Sequence, residues 1–307
     1  MENLENNSIL AAGDIGSNTV RMLIAACKEG KIRPLEHLYA VTCLGQGLSK
    51  GILLEENIEA TIQVLEDFKR ALELYQPAKI RLVATSAVRE ASNSRHFLAR
   101  AAAATGLGID VLSSQEEAAL SYLGATKNKE TNSKLKTQNS KLGLQSKPIV
   151  LDVGGGSSEL IWQEENRFQS LSFPVGAVRA AAAAWDHREI AKRISLLPPP
   201  AGRQLIGLGG TITTAAGVLL GLNSYNREAV DGQVLSYGAL EGLEQELSAL
   251  SRKERCLYSP LLAKRGENIA EGLQIILIIM KQILAPALQV SVSGILDGIV
   301  WQLSIDN

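Results

Sequence analysis

Gly13-Asp14-Ile15-Gly16-Ser17-Asn18-Thr19 and Leu151-Asp152-Val153-Gly154-Gly155-Gly156-Ser157-Ser158 are two versions of one pattern. In each, a short apolar strand ends in an Asp-x-Gly turn dense with glycine and small hydroxyl residues. Glycines let the backbone approach an anion and take up positive φ, so several N–H groups can converge on one phosphate. The hydroxyls of Ser17, Thr19, Ser157 and Ser158 add donors. A strand-end aspartate would repel phosphate unless a divalent cation lies between them or a water needs orienting. Asp14 and Asp152 are therefore candidate metal or water ligands. For either turn alone, a tight hairpin whose Asp side chain satisfies turn amides explains as much. Two copies at domain-sized separation favour a duplicated phosphate-binding chain with a cleft between its halves.

Working outward, Ile9–Ala12 and Arg21–Ala26 flank the first turn as a strand-turn-strand hairpin. Ile58, Ile62, Leu65, Phe68, Leu72 and Tyr75 recur at helical spacing, and Pro77 stops that helix. A buried strand at 80–85, a helix at about 93–105 and a short strand at 109–112 follow. The next helix starts at Ser113 or Ser114, with Glu116 and Glu117 in its first turn. The second half repeats the order. Strand 149–153 meets the second turn, a helix spans about 177–185, and strand 204–208 runs through Gly209-Gly210-Thr211 into another helix. A long helix at about 267–284, a strand at 290–292 and a terminal helix from about 295 complete the chain. Alternating strands and helices give an α/β architecture. The expected division is a domain at 1–126, a polar Lys/Ser/Asn-rich linker at 127–147 and a domain at 148–293. The helix at about 294–307 packs back on the first domain.

Composition narrows the partners. With 307 residues, 46% hydrophobic residues and a formal net charge of -1, the chain has room for two domains and no global basic field. A polyanion must be held by a local site, and neither nucleic acid nor a membrane is an expected partner. The most apolar run, 275–280, is too short to span a bilayer, and no signal peptide is visible. Cys27, Cys43 and Cys256 lie far apart without metal-ligand spacing, as befits free thiols in a cytoplasmic protein.

Further residues suit phosphate chemistry. Gly209-Gly210-Thr211 sits at a strand-to-helix junction, where a helix N-terminus favours anions, although such a turn also serves simple packing. Arg21, Arg89 and Arg265 carry guanidinium forks that match phosphate oxygens; each could equally be a surface ion pair. Glu116 and Glu117 point about 100° apart on a helix, so only one can face a given site. Either could serve as a general base, or both could favour the helix dipole. Glu159 follows the second turn in a strand whose alternation could aim it at the cleft.

These motifs resemble those of the exopolyphosphatase and guanosine pentaphosphate phosphohydrolase family, within the superfamily of actin, sugar kinases and heat-shock ATPases. The similarity also rests on Leu44-Gly45-Gln46-Gly47-Leu48, on Ala84-Thr85-Ser86-Ala87-Val88-Arg89-Glu90-Ala91-Ser92-Asn93 and on Glu116-Glu117-Ala118, and it is nearly full length. The resemblance implies two ribonuclease H-like domains closing over a cleft. It implies Glu117 as catalytic base, with Asp152 and Glu159 holding Mg2+ or the attacking water and Asp14 a further metal ligand. It places Arg89 near the phosphate and Arg265 at the mouth or opposite wall of the site. The chain resembles the short, two-domain members, without the C-terminal helical domains that help longer ones hold polyphosphate.

The expected activity is Mg2+-assisted hydrolysis of terminal phosphoanhydride bonds of inorganic polyphosphate, releasing orthophosphate. The expected substrate contacts are Asp14, Gly16, Ser17, Asn18, Thr19, Arg21, Gly154, Gly155, Gly156, Ser157, Ser158, Gly209, Gly210, Thr211 and Arg265. Guanosine pentaphosphate is the alternative substrate. A superfamily kinase or a non-catalytic polyphosphate or alarmone sensor are readings of another class. Resemblance further suggests a homodimer.

Overall fold

The computed structural model describes residues 8–28, 31–130, 147–165, 167–194, 203–263 and 265–305. Most of the expected linker, 131–146, lies outside them. The chain divides into two compact units, Met1–Asn128 with Ser293–Asn307, and Lys129–Val292.

The first unit is a sheet covered on both faces. Strands β1 (Ser8–Ile15), β2 (Thr19–Lys28) and β3 (Lys31–Val41) form antiparallel hairpins, and β4 (Lys79–Ala84) and β5 (Ile109–Val111) join in parallel. The strand order is β3-β2-β1-β4-β5. Because side chains alternate faces, β1 feeds two cores. Ala11 and Ile15 join the cluster of α1 (Glu55–Tyr75) and α3 (Ser94–Thr105), through Ile58, Ile62, Leu65, Phe68, Leu72 and Phe97. Leu10 and Ala12 join the cluster of the last helix, α12 (Ile295–Ile305), through Leu296, Ile299 and Val300. Each fully buried side chain of this size contributes about 1.5–3 kcal/mol of transfer free energy. Gln76 takes a left-handed φ of 46° to end α1, just before Pro77.

The second unit repeats that plan. Strands β6 (Ile149–Val153), β7 (Ser158–Glu164) and β8 (Arg167–Phe173) are antiparallel, and β9 (Leu205–Leu208) and β11 (Ala287–Val290) add in parallel. The order β8-β7-β6-β9-β11 matches that of the first sheet, with β10 (Val234–Ser236) as an extra antiparallel edge. Helix α11 (Ile269–Gln282) is buried over ten positions and forms the centre of this core. Among the described residues no helix is long and apolar enough to cross a membrane.

Several expectations need correcting. β3 is an unforeseen strand, because polar Lys31, Arg33 and His37 take exposed positions along it and none of its residues is fully buried. A short helix, α2 (Ser86–Glu90), follows β4 directly. Helix α4 (Ser114–Glu130) runs through Lys127, so the start of the expected linker is helical. The helix expected at 177–185 ends at Ala182 (α5, Ala177–Ala182), and an unforeseen helix, α6 (His187–Arg193), follows, where Asp186 caps it by accepting from the Glu189 N–H. The last strand ends at Val290 rather than starting there, and contains the buried Gln289, bonded to Gln204 at 2.6 Å. Between β9 and α11 lie α7 (Gly210–Leu219), α8 (Arg227–Val230), α9 (Tyr237–Ser248) and α10 (Arg252–Tyr258), of which only α7 was foreseen.

Candidate active site

In the first unit, the Asp-x-Gly turn closes with Gly16 N–H donating to Thr19 O at 2.9 Å. Its carbonyls are held from one side: Ser17 O accepts from Gly45, and Asn18 O from Thr42 and Cys43. Ser17 Oγ lies 3.0 Å from Ser86 Oγ at the start of α2. Arg21, expected to meet phosphate, instead directs Nε and Nη2 at Asp14 Oδ2. Asp14 is buried at 2% exposure, and its Oδ1 has no hydrogen-bond partner among the described residues. A hairpin register that sets Arg21 directly opposite Asp14 explains the pairing.

The glutamate pair separates as helical geometry requires. Ser113 caps α4: Glu116 N–H donates to Ser113 Oγ, while Glu116 Oε2 accepts from Ser113 N–H at 2.9 Å and Oγ at 2.7 Å. Those bonds lower the Glu116 carboxyl from its ordinary value. Glu117, half-buried, turns the other way, and its Oε2 accepts from Arg89 Nη1 at 3.1 Å. The same Nη1 donates to Leu112 O at 2.8 Å, which ties the guanidinium to the strand end before α4. Farther along, α4 crosses α12 at glycines: a Cβ on Gly298 would lie 2.8 Å from the Leu120 carbonyl carbon.

In the second unit, Gly154 N–H donates to Ser157 O at 2.9 Å, the same closure as in the first copy. Gly154 O and Gly155 O accept from Ala177 and Arg179 N–H at the start of α5. Asp152 faces Glu159 across the β6–β7 pair, which brings two half-buried carboxylates side by side on one face. Glu159 Oε1 accepts from Ser172 Oγ on β8 at 3.0 Å. Gly209, with φ of +95°, could carry no side chain here: a Cβ would lie 2.8 Å from Val153 O and 3.1 Å from Asp152 Oδ1. The third loop is thereby packed against the second aspartate. Arg265 lies flat on Gly210, where a Cβ would fall 2.5 Å from Nη2. The N–H groups of Gly210, Thr211 and Ile212 open α7 without carbonyl partners, as at any helix start.

Two expected hydroxyl ligands turn inward instead. Ser158 is fully buried and donates to Val175 O at 2.6 Å. Thr211 is buried at 4% exposure against Gly272 of α11.

The Ppx/GppA phosphatase family model matches residues 23–304. The chain belongs to the Ppx/GppA phosphatase family. It is similar to exopolyphosphatase 2 of Mycobacterium tuberculosis, with 27% identity over 326 residues, 96% of this chain and 98% of that protein. The crystal structure of the Aquifex aeolicus Ppx/GppA family member matches with a TM-score of 0.82 at 27% identity, covering 98% of this chain and 99% of that one. An exopolyphosphatase from Cytophaga hutchinsonii, at 21% identity and a TM-score of 0.77 over 97% of this chain and 98% of that one, shares the fold. The Ppx/GppA chain described here is thus a phosphoanhydride hydrolase on the duplicated ribonuclease H-like, actin-type ATPase fold.

As for a metal, no three His, Cys, Asp or Glu side chains cluster to hold an ion by themselves among the described residues. Of the expected metal ligands, Asp152 and Glu159 lie side by side in the second unit, and Asp14 of the first unit pairs with Arg21. A carboxylate pair suits Mg2+, which usually takes one or two carboxylates and completes its shell with water and substrate phosphates.

Proposed function

We propose that this chain hydrolyses the terminal phosphoanhydride bond of inorganic polyphosphate, releasing orthophosphate, with Glu117 as the base that activates water. The observation that carries this reading is the divergence of the two glutamates. Glu116 is spent on the helix cap, whereas Glu117 is half-buried and oriented by Arg89. A carboxylate held by a guanidinium is positioned to accept a proton from water as the water oxygen attacks phosphorus. The P–O bond to the rest of the chain breaks, and the shortened polyphosphate leaves as an oxyanion.

The second unit carries the glycine turn, the opening N–H groups of α7 and Arg265, donors that suit the charge of a phosphoryl group. Asp152 and Glu159 would hold Mg2+, which neutralises charge building on the phosphate oxygens when bound. The first unit carries the proposed base Glu117, its partner Arg89 and the 16–19 turn.

The test is orthophosphate release, with Mg2+ present, from polyphosphates of several lengths, guanosine pentaphosphate and ATP. The proposal expects polyphosphate to be turned over most efficiently. Preference for guanosine pentaphosphate would move the substrate, and turnover of ATP alone would sink the reading.

A further inference from the structure

We infer that Arg179 is a phosphate ligand of the second glycine turn, a role that rests on the polyphosphate reading above. The sequence hides this residue inside the alanine-rich run 177–184. In the fold, its backbone N–H holds Gly155 O at 2.9 Å, and its side chain doubles back over the same turn. Nη1 donates to Pro174 O at 3.2 Å, while Nη2 lies 3.6 Å from where a Gly156 Cβ would stand. Nε and Nη2 have no hydrogen-bond partner among the described residues, and the residue is exposed.

The turn beneath it is equally unsatisfied. The N–H groups of Gly155, Gly156 and Ser157 carry no hydrogen-bond partner among the described residues, while the carbonyls of Gly154 and Gly155 are tied to α5. Gly176 packs so closely that a Cβ there would lie 2.5 Å from Gly156 N, which keeps the turn from collapsing onto α5. Successive free amides beside a guanidinium held by one nitrogen form a concave set of donors with no acceptor of its own. That chemistry takes a phosphate oxygen. In the first turn, by contrast, the guanidinium across the hairpin, Arg21, is paired with Asp14. Arg179 therefore makes the second turn the stronger anion grip of the two.

The experiment titrates inorganic tripolyphosphate into the full chain by calorimetry, in a Glu117→Gln background so that turnover does not consume the probe. Arg179→Gln should weaken binding about tenfold or more with the melting temperature unchanged. Arg179→Lys should recover only part, since an ammonium keeps the charge and loses the fork. In the catalytically intact chain the same substitution should raise KM about tenfold with kcat within threefold. Equal affinity with and without the guanidinium overturns the inference, as does a Glu117→Gln chain that does not bind tripolyphosphate. If binding depends on Arg179 but the intact chain releases no orthophosphate, the ligand role is supported and the hydrolase reading falls.

Discussion

Glu159 stands in the second hairpin where Arg21 stands in the first: each lies directly across an antiparallel pair from the strand-end aspartate. The backbones and the turn closures match, yet the partner charge is reversed. The Asp14 copy is neutralised within the protein. The Asp152 copy presents two like charges, which repel unless a cation or a shared proton separates them.

In the first copy, the two members of the pair should not be equivalent. Arg21→Met strips the counter-ion from a buried carboxylate and should cost on the order of 3 kcal/mol. Asp14→Asn leaves a half-exposed guanidinium that water can solvate, and should cost about 1 kcal/mol. Urea unfolding of both variants checks the order; equal losses would show that the ion pair is not what holds Asp14.

In the second copy, added Mg2+ should raise the melting temperature of the wild-type chain, because a ligand of the folded state stabilises it by mass action. Glu159→Gln should lose most of that rise. The shift, read by calorimetry without substrate, needs no activity. A full Mg2+ response in Glu159→Gln would place the cation elsewhere.

Glu117→Gln should cut orthophosphate release by 10²-fold or more while polyphosphate still binds. Arg89→Ala should lower kcat as well, through loss of the 3.1 Å contact that orients the carboxylate. A Glu117→Gln chain that turns over near the wild-type rate removes this residue from the role of base.

Glu116 should behave quite differently. Its folded-state carboxyl lies below the ordinary 4.5, with the Ser113 hydroxyl bond as the main cause. A depressed folded value means the contribution is present above the unfolded value and fades as pH falls through the folded one. Ser113→Ala should therefore cost about 1 kcal/mol at neutral pH. The gap from wild type should narrow as pH drops below 4.5, and kcat should be little changed. Thermal melts across that range decide it.

Gly298→Ala should push α12 and α4 apart, since the new methyl would meet the Leu120 carbonyl, one turn beyond Glu117. We expect a loss of about 1–3 kcal/mol from overpacking, with a fall in kcat larger than any change in KM. Unchanged kcat in a folded variant would show that this crossing does not place Glu117.

What the sequence made legible follows from how local each signal is. The two turns, the stop of α1 before Pro77, the Ser113 start of α4 and the apolar α11 rest on short-range chemistry, and they stand close to where they were expected. Strand β3 was hidden because an edge strand keeps polar residues on exposed positions, which blurs the apolar alternation. The fates of Arg21, Ser158 and Thr211 depend on hairpin register and helix packing, which no single residue type announces. Glu116 and Glu117 were distinguishable only through a family resemblance until α4 showed which carboxylate caps and which meets Arg89. Arg179 carried no signal, because its position depends on how α5 docks on a turn far back in the chain.

The seating of α12 on β1 has a consequence for synthesis. Leu10 and Ala12 leave the ribosome among the first residues, yet the helix that covers them comes after the whole second unit. The second unit is contiguous and can finish its core while one face of the first sheet still waits, wet and apolar. Assembly then runs against the usual N-terminal-first order. A chain truncated just before residue 295 should keep a protease-resistant second half and a first half that chaperones still hold.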